Sequence, residues 1–163
     1  MKYYTTYLSP IGPLTLFSDG HHLTGLFTAK MKMPSFQKEQ REDSLLLFKE
    51  VTKWLNAYFD GKYPDIHSIP LLPAGTAFQK DVWNRLCRIP YGSTVTYGEI
   101  AAEIAETRKI KKMSAQAVGQ GVGANPISIV IPCHRVVGAN GALTGYAGGV
   151  DVKSWLLNHE KTH

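Results

Sequence analysis

A cysteine followed directly by a histidine, Cys133-His134, is the pair of side chains in this sequence best suited to nucleophilic chemistry. A thiol attacks carbon mainly as the thiolate, and with an unperturbed pKa near ~8.5 only a small fraction is ionised at neutral pH. The imidazole of His134 is the nearest candidate base. Adjacent side chains point in different directions, so a direct hydrogen bond and a relay through water are both open, and the relay needs a carboxylate to orient the ring. In the alternative interpretation, Cys133 is a small buried apolar residue and His134 is a hydrogen-bonded turn residue.

The residues before this pair indicate how it is held. Residues 127–131 form a mainly apolar run, rich in Ile, that predicts a short strand covered on both faces. Pro132 has no N–H to donate and favours an extended conformation in the preceding residue, so we expect the strand to end there. Cys133 then lies where a rigid element meets a turn, a position that can hold a nucleophile at the wall of a pocket.

Composition places the chain among ordinary globular proteins. With 163 residues, 44% of them apolar, it can form one domain or two small ones around a buried core. No apolar run has transmembrane length and the N-terminus has no signal-peptide pattern, so we expect no membrane association. Two cysteines are too few for a disulfide framework, and a reactive cysteine needs a reducing compartment, which predicts a cytoplasmic location.

The two halves of the chain differ in charge. Residues 74–163 carry ten Lys and Arg against six Asp and Glu, and so supply most of the net charge of +5. A basic half suits a phosphate backbone, although so small an excess is weak evidence for nucleic-acid binding by itself. A proline-containing stretch after Gly61 is typical of a linker, which predicts domains of residues 1–73 and 74–163.

The first domain is predicted to be a helix packed on a small sheet. Three segments rich in aromatic and β-branched residues are separated by turn residues and indicate an antiparallel meander. These segments are residues 3–8, 14–18 and 23–28. Residues 31–42 are polar and predict a loop, and apolar residues then recur at helical spacing over residues 44–59.

Histidines in the first half make a poor metal site. His21 and His22 are adjacent, His67 is the remaining one before residue 74, and no cysteine precedes Cys87. Because structural zinc needs four good ligands, we predict no metal ion.

The second half contains helix-start signals. Residues 76–79 and 96–99 both have the capping-box pattern, which predicts helices to about residues 89 and 105. Cys87 falls in the first of these, and we interpret it as a packing residue.

A third helix is predicted to begin at Ser114, after a basic tract at residues 108–112. Two short helices with a tight connection are typical of a helix-turn-helix. The third helix has few bulky or charged side chains, which lets it approach DNA closely with little reading of sequence. Backbone amides at its start and nearby lysines could hold phosphates.

The pentapeptide at residues 132–136, Pro-Cys-His-Arg-Val, closely resembles the active-site signature of the O6-alkylguanine-DNA alkyltransferase family. Further matching segments occur in the same order, at residues 78–83, 96–101, 125–126, 145–149 and 153–160. The resemblance covers residues 74–160 closely and the first seventy loosely. It implies an α/β chain of α+β type, with a small ribonuclease H-like N-terminal domain and a helical, winged-helix-like C-terminal domain that carries the helix-turn-helix.

The resemblance also implies an activity. Family members transfer the alkyl group of O6-alkylguanine, and of O4-alkylthymine, in double-stranded DNA to a cysteine. The transfer is irreversible, uses each molecule once and needs no cofactor. The recognition helix enters the minor groove, and the damaged base is flipped into the pocket by a monomer.

Catalytic roles carry over to four matching positions. Cys133 accepts the alkyl group, His134 takes the thiol proton through water, Glu160 orients His134, and Tyr97 assists the leaving group at the ring nitrogen N3. In the alternative interpretations, Glu160 is a solvated carboxylate near a helix end and Tyr97 is a packing residue. Arg135 is expected to form an internal ion pair with an acid that the sequence does not identify.

Substrate contacts carry over to the pocket wall. Tyr146 and the backbone from Ala147 through Gly148 to Gly149 match the flexible wall over the pocket, whose amides can bind the guanine oxygen. The carbonyls of Cys133 and Val136 match the acceptors for the exocyclic amine.

Several matches concern DNA and adduct size. Asn125 matches the residue that ties the recognition helix to the active-site strand, and an Asx turn before Pro126 is compatible with that role. Gln116 replaces an arginine common in relatives, so we expect weaker DNA affinity or base extrusion without loss of activity. Val122 and Ser128 match pocket-wall positions, where small side chains would admit alkyl groups larger than methyl. The other residues predicted to face DNA are Ser114, Ala115 and Ala117.

Three other functions compete with this one. A protein that binds alkylated DNA without transferring the alkyl group would replace the nucleophile, whereas this chain keeps Cys133, His134 and Glu160. A sequence-specific helix-turn-helix regulator would need more base-reading side chains on its recognition helix. A Cys-His hydrolase would need an oxyanion hole and turnover.

Overall fold

A four-stranded sheet forms the first half of the chain in a computed structural model that describes residues 2–33, 38–143 and 145–163. The strands are β1 (Tyr3–Ser9), β2 (Gly12–Ser18), β3 (Leu23–Phe27) and β4 (Gln40–Arg41), in the order β3-β2-β1-β4. β1, β2 and β3 pair antiparallel, which confirms the predicted meander. The prediction of a loop over residues 31–42 was wrong at β4, which pairs parallel with β1 because the outer edge of β1 offers unpaired backbone groups. Residues 34–37 of that stretch lie outside the described residues.

Helix α1 (Leu46–Phe59) covers this sheet, close to the predicted residues 44–59. Its buried side chains recur every three to four residues and face β1 and β2. They are Leu47, Phe48, Val51, Trp54, Leu55 and Tyr58.

The second half is helical. Its helices are α2 (Ala77–Leu86), α3 (Tyr97–Arg108), α4 (Ala115–Gly123) and α5 (Val150–Thr162), and a short parallel pair joins β5 (Val95–Thr96) to β6 (Val136–Val137). The predicted capping box of α2 is present, although α2 ends three residues earlier than expected, and α3 extends three residues further. α3 and α4 pack together as the predicted helix-turn-helix, and α4 also packs against α2. Trp83 Nε1 donates to the Gly121 carbonyl at 2.8 Å, and a side chain at Gly121 would come within 3.3 Å of Val82 in α2.

Residues 127–131 do not form the predicted strand. Ile127 makes one isolated parallel bridge to Leu26, and the chain then turns, with Ile129 in the left-handed region at φ 71°. The whole run is buried in the cluster shared with β3 although the chain turns there, so its apolar character reports burial rather than extended geometry.

The two halves share one buried apolar cluster. β3 contacts both the linker, through the bridge from Leu23 to Leu71, and the segment before Cys133, through Leu26. The boundary between residues 73 and 74 therefore stays a prediction, while the α+β architecture with a helix-turn-helix is confirmed. No helix in the described part of the chain is both long and apolar enough to span a membrane.

Candidate active site

Cys133 lies at the wall of a cavity between the two halves of the chain. Pro132 ends the preceding turns, and Cys133 begins a 3-10 helix, Cys133–Arg135, with a side chain that is 5% exposed. The cavity encloses about 280 Å³, counting its open mouth. Besides Cys133 it is lined by Met31, Tyr97, Val122, Gly123, Asn125, Ser128, Gly145, Tyr146, Ala147, Gly148 and Lys153.

Burial sets the protonation state of the nucleophile. It raises the pKa of the Cys133 thiol, and Asn125, Tyr146 and Lys153 offset this only in part. The resting sulfur is therefore a thiol at neutral pH, and it carries even less thiolate than an unperturbed cysteine would. A base within the site has to accept its proton before attack.

His134, the next residue along the chain, is fully buried, and Glu160 holds its ring. Nε2 lies 2.5 Å from Oε2 of Glu160. Burial lowers the pKa of His134 even against the pull of Glu160, so the imidazole is neutral, with its proton on Nε2. Nδ1 has no hydrogen-bond partner among the described residues and keeps its lone pair for a proton. No direct hydrogen bond joins the Cys133 and His134 side chains within the described chain, and the relay through water stays a prediction.

Glu160 is the centre of a buried network. It accepts from Arg135 through Nε at 2.8 Å and Nη2 at 3.1 Å, which identifies the acid that the sequence left unnamed. It also accepts from the Tyr58 hydroxyl at 2.6 Å and the Gly92 amide at 3.1 Å. Burial alone would raise the pKa of Glu160, but the hydrogen bonds from His134 and Arg135 and the positive charge of Arg135 outweigh it, so the pKa of the carboxyl lies well below its usual value. Glu160 is 4% exposed and is therefore not a solvated carboxylate.

Asn125 supports the turns that lead to Cys133. Its Oδ1 accepts from the Ile127 amide at 3.0 Å, which forms the Asx turn, and its Nδ2 donates to the carbonyls of Ile127 and Ile131 at 3.1 and 3.0 Å. Because Asn125 follows directly after α4, these three bonds connect that helix to the nucleophile's segment.

The wall at Tyr146 closes the cavity near Cys133. The hydroxyl of Tyr146 is buried and faces the Cys133 sulfur, where it favours the thiolate and so lowers the pKa of that thiol. A side chain at Gly148 would approach the Tyr146 ring to 2.8 Å and Thr28 Oγ1 to 2.9 Å, so only glycine fits there. Val136, by contrast, is fully buried in β6 and is not among the residues lining the cavity.

The face of α4 forms an open groove next to this cavity. Tyr97 and Gly145 line both, so they mark where the two meet. The other residues that line the groove are Ala115, Gln116, Gly119 and Gln120. Ser114 caps α4 by accepting from the amides of residues 116 and 117. Those two amides are therefore not available to phosphates, in contrast to the suggestion from the sequence.

Two family models match the chain. They are described as "6-O-methylguanine DNA methyltransferase, DNA binding domain", over residues 77–162, and "6-O-methylguanine DNA methyltransferase, ribonuclease-like domain", over residues 2–73. The chain belongs to the 6-O-methylguanine DNA methyltransferase family.

Relatives in this methyltransferase family match the chain over nearly its whole length. The methylated-DNA–protein-cysteine methyltransferase of Haemophilus influenzae is 42% identical, over 98% of this chain and 86% of the relative. That of Methanosarcina acetivorans is 44% identical, over 97% of each chain. The crystal structure of the Mycobacterium tuberculosis protein called OGT in complex with DNA superposes with a TM-score of 0.86 at 43% identity, covering 98% of this chain and 93% of that one.

Met31 and Lys153 line the cavity and were not predicted as site residues from the sequence. Lys153 is 1% exposed and lines the cavity, with Nζ 3.5 Å from the Tyr97 hydroxyl and near the rings of Tyr97 and Tyr146. Burial lowers its pKa, which the neighbouring Cys133 opposes. A sequence signal was present, because Lys153, Leu156 and Glu160 recur at the spacing of the buried face of α5.

Other candidates lie away from this site. Cys87 is the C-cap of α2, and burial raises its pKa to about 11, which is consistent with a packing role. His22 pairs with Asp19 at 3.1 Å. Within the described ranges, no three His, Cys, Asp or Glu side chains cluster closely enough to hold a metal ion.

Proposed function

We propose that this chain repairs DNA by transferring the alkyl group of O6-alkylguanine, and of O4-alkylthymine, irreversibly to Cys133. The observation that carries the proposal is a buried cysteine at a cavity beside a helix-turn-helix groove, next to the His134–Glu160 pair. The membership of the chain in the 6-O-methylguanine DNA methyltransferase family supports the same activity.

Proton transfer comes first in the mechanism. The thiol proton of Cys133 passes through a water molecule to Nδ1 of His134, and Glu160 stabilises the imidazolium through Nε2. Arg135 keeps Glu160 ionised for this purpose. Thiolate therefore forms only when the relay is complete.

Alkyl transfer follows as an in-line displacement. The Cys133 sulfur forms a bond to the alkyl carbon, and the bond from that carbon to guanine O6 breaks with its electron pair passing into the base. Tyr97 donates to the ring nitrogen N3 as negative charge develops there, and Lys153 places a positive charge beside that hydroxyl. The thioether product is not hydrolysed at neutral pH, so each molecule reacts once.

Base recognition uses the wall of the cavity. Tyr146 and the backbone of residues 147–149 form the wall whose amides donate to the guanine oxygen, and the Cys133 and Val136 carbonyls accept from the exocyclic amine. Val136 does not line the cavity, so a hydrogen bond from the exocyclic amine to its carbonyl requires the base to reach beyond the lining residues.

DNA is bound through α4 in the minor groove, and the damaged base is flipped into the cavity. The exposed face formed by Ser114, Ala115 and Gln116, with Ala117 half-buried, suits close approach to the duplex. Val122 lines the cavity under the base. Residues 1–73 and 74–163 act as two domains of a monomer. The location is cytoplasmic, since the thiol requires a reducing compartment.

An intact-mass measurement tests this function. Protein incubated with a duplex that contains O6-methylguanine is expected to gain one methyl group on Cys133. Cys87→Ala should still gain it and Cys133→Ala should not. DNA binding without any gain in mass would favour the alternative, a protein that recognises alkylated DNA without transfer, and a methyl group on Cys87 would contradict the mechanism.

A further inference from the structure

Tyr58 is the point at which the N-terminal half reaches the His134–Glu160 pair. It lies in the last turn of α1 and is 1% exposed. Its hydroxyl is 2.6 Å from Oε2 of Glu160, the oxygen that also binds Nε2 of His134. Tyr58, which is 102 positions from Glu160 in sequence, thus binds the same carboxylate oxygen as the proposed base His134.

We propose that Tyr58 is a positioning residue for the alkyl transfer, because its hydroxyl fixes the Glu160 oxygen that orients the His134 imidazole. The inference rests on the proposed function and extends it. It makes the N-terminal half part of the apparatus that activates the cysteine, in addition to its role in the shared core.

The Tyr58 ring is held rigidly enough for this role. It stacks on Trp54 with ring centroids 5.7 Å apart and the planes 5° from parallel, and it meets Phe59 and Tyr91 edge-on at 5.2 and 5.9 Å. Its backbone carbonyl contacts Nε2 of His159 at 2.7 Å, which ties the same residue to α5. With the ring fixed in this way, the hydroxyl has one orientation toward the carboxylate.

The direction of the hydrogen bond follows from charge. Burial and then Glu160 raise the pKa of Tyr58 far above its usual value, so the phenol stays protonated and donates to the carboxylate. A donor on Oε2 disperses the negative charge that His134 senses. Tyr58 therefore restrains the proton affinity of the imidazole while it holds the carboxylate in place.

Several ionisable groups surround the His134–Glu160 pair and take part in this balance. Glu160 and Lys153 approach from α5, Cys133 and Arg135 from the 3-10 helix, Tyr58 from α1, and Tyr91 from the loop before β5. The Tyr58 phenol is uncharged at neutral pH, so replacing Tyr58 by phenylalanine changes one hydrogen bond and no formal charge.

The test compares single-turnover methyl transfer from an O6-methylguanine duplex as a function of pH in wild type, Tyr58→Phe and Tyr63→Phe. Tyr63 is the matched control, because its hydroxyl donates to the carbonyl of His163 at 2.8 Å and also joins the first half to α5, but without touching Glu160. In Tyr58→Phe, the Glu160 carboxylate loses the hydroxyl that disperses its negative charge, and this raises the pKa of His134. The acid limb of the rate profile should move up by about one pH unit, and that of Tyr63→Phe should coincide with wild type.

A second arm keeps the test decisive if Tyr58→Phe fails to fold, which thermal unfolding would reveal. Incorporation of 3-fluorotyrosine at position 58 makes the phenol more acidic and a stronger donor, so the acid limb should move to lower pH. Unchanged profiles in the folded variants, or equal shifts in Tyr58→Phe and Tyr63→Phe, overturn the role of Tyr58 while the proposed function stands. A wild-type protein that transfers no methyl group overturns the proposed function, and this inference with it.

Discussion

The side-chain amide of Asn125 donates to the backbone carbonyl of Ile131 at 3.0 Å, across a segment that has turns where its apolar sequence suggests a strand. Asn125 is 3% exposed, and its bonds replace the ladder that a strand neighbour would have provided. The position of Cys133 therefore depends on one side chain at the end of α4.

Replacing Asn125 by alanine should destabilise the protein by about 2 kcal/mol. The substitution leaves the buried Ile127 amide without its acceptor. It also removes one donor from each of the Ile127 and Ile131 carbonyls, which keep their bonds from the backbone amides of Ile131 and Cys133. Denaturant unfolding measures the change. Asn158→Ala, at an exposed position of α5, serves as the control and should stay within about 0.5 kcal/mol of wild type. Equal stabilities of the two variants would show that the Asn125 bonds contribute little.

Lys153→Met should slow alkyl transfer by roughly tenfold. Methionine preserves most of the buried volume and removes the positive charge that favours the Cys133 thiolate and the developing charge near Tyr97. Single-turnover rates at saturating DNA measure the effect. Lys161→Met removes a charge from an exposed position of the same helix and should leave the rate unchanged. A Lys153→Met protein that reacts as fast as wild type would exclude an electrostatic role for this side chain.

The stability of the protein should decrease as the pH is lowered from about 7. Burial lowers the pKa of His134 in the folded state, and the network lowers that of Glu160, so the unfolded chain binds protons that the folded chain does not. The His134 contribution is complete above its unfolded pKa of about 6.5 and declines below it, and the Glu160 contribution declines below about 4.3.

Denaturant unfolding at several pH values measures this dependence. Each differential proton changes the free energy of unfolding by at most about 1.4 kcal/mol per pH unit. His134→Gln should flatten the curve between about pH 7 and 5 and preserve the steeper loss at lower pH. A wild-type protein that becomes more stable between pH 7 and 5 would show that His134 is charged when folded.

Gln116→Arg should tighten binding to duplex DNA. Gln116 is exposed at the start of α4 and lines the groove, so an arginine there adds a charge that can replace a counterion of the phosphate backbone. The slope of log affinity against log salt should steepen by up to about one unit in a titration of labelled duplex. Gln40→Arg adds the same charge on β4, and a matching gain there would mean that the effect is not specific to the groove.

Local sequence patterns were sufficient for the elements that position the site. The capping box at Thr76 and the serine cap at Ser114 start α2 and α4 where they were predicted, because capping depends on residues three positions apart. The pentapeptide around Cys133 and the spaced segments that follow it were sufficient to indicate the family. Apolar spacing over residues 44–59 likewise predicted α1, since one face of a helix is a local property.

Only the tertiary structure decided which groups act on one another. The pairing of Arg135 with Glu160, the hydroxyl of Tyr58 on that carboxylate and the burial of Lys153 beside Tyr97 join residues between 25 and 102 positions apart. Such contacts leave no periodic pattern in the chain. The same holds for residues 127–131, where the sequence determined that the run is buried, but only the packing of Leu26 and the bonds of Asn125 determined that it turns. Hydrophobicity specifies removal from water, whereas backbone direction depends on which partners satisfy its hydrogen bonds.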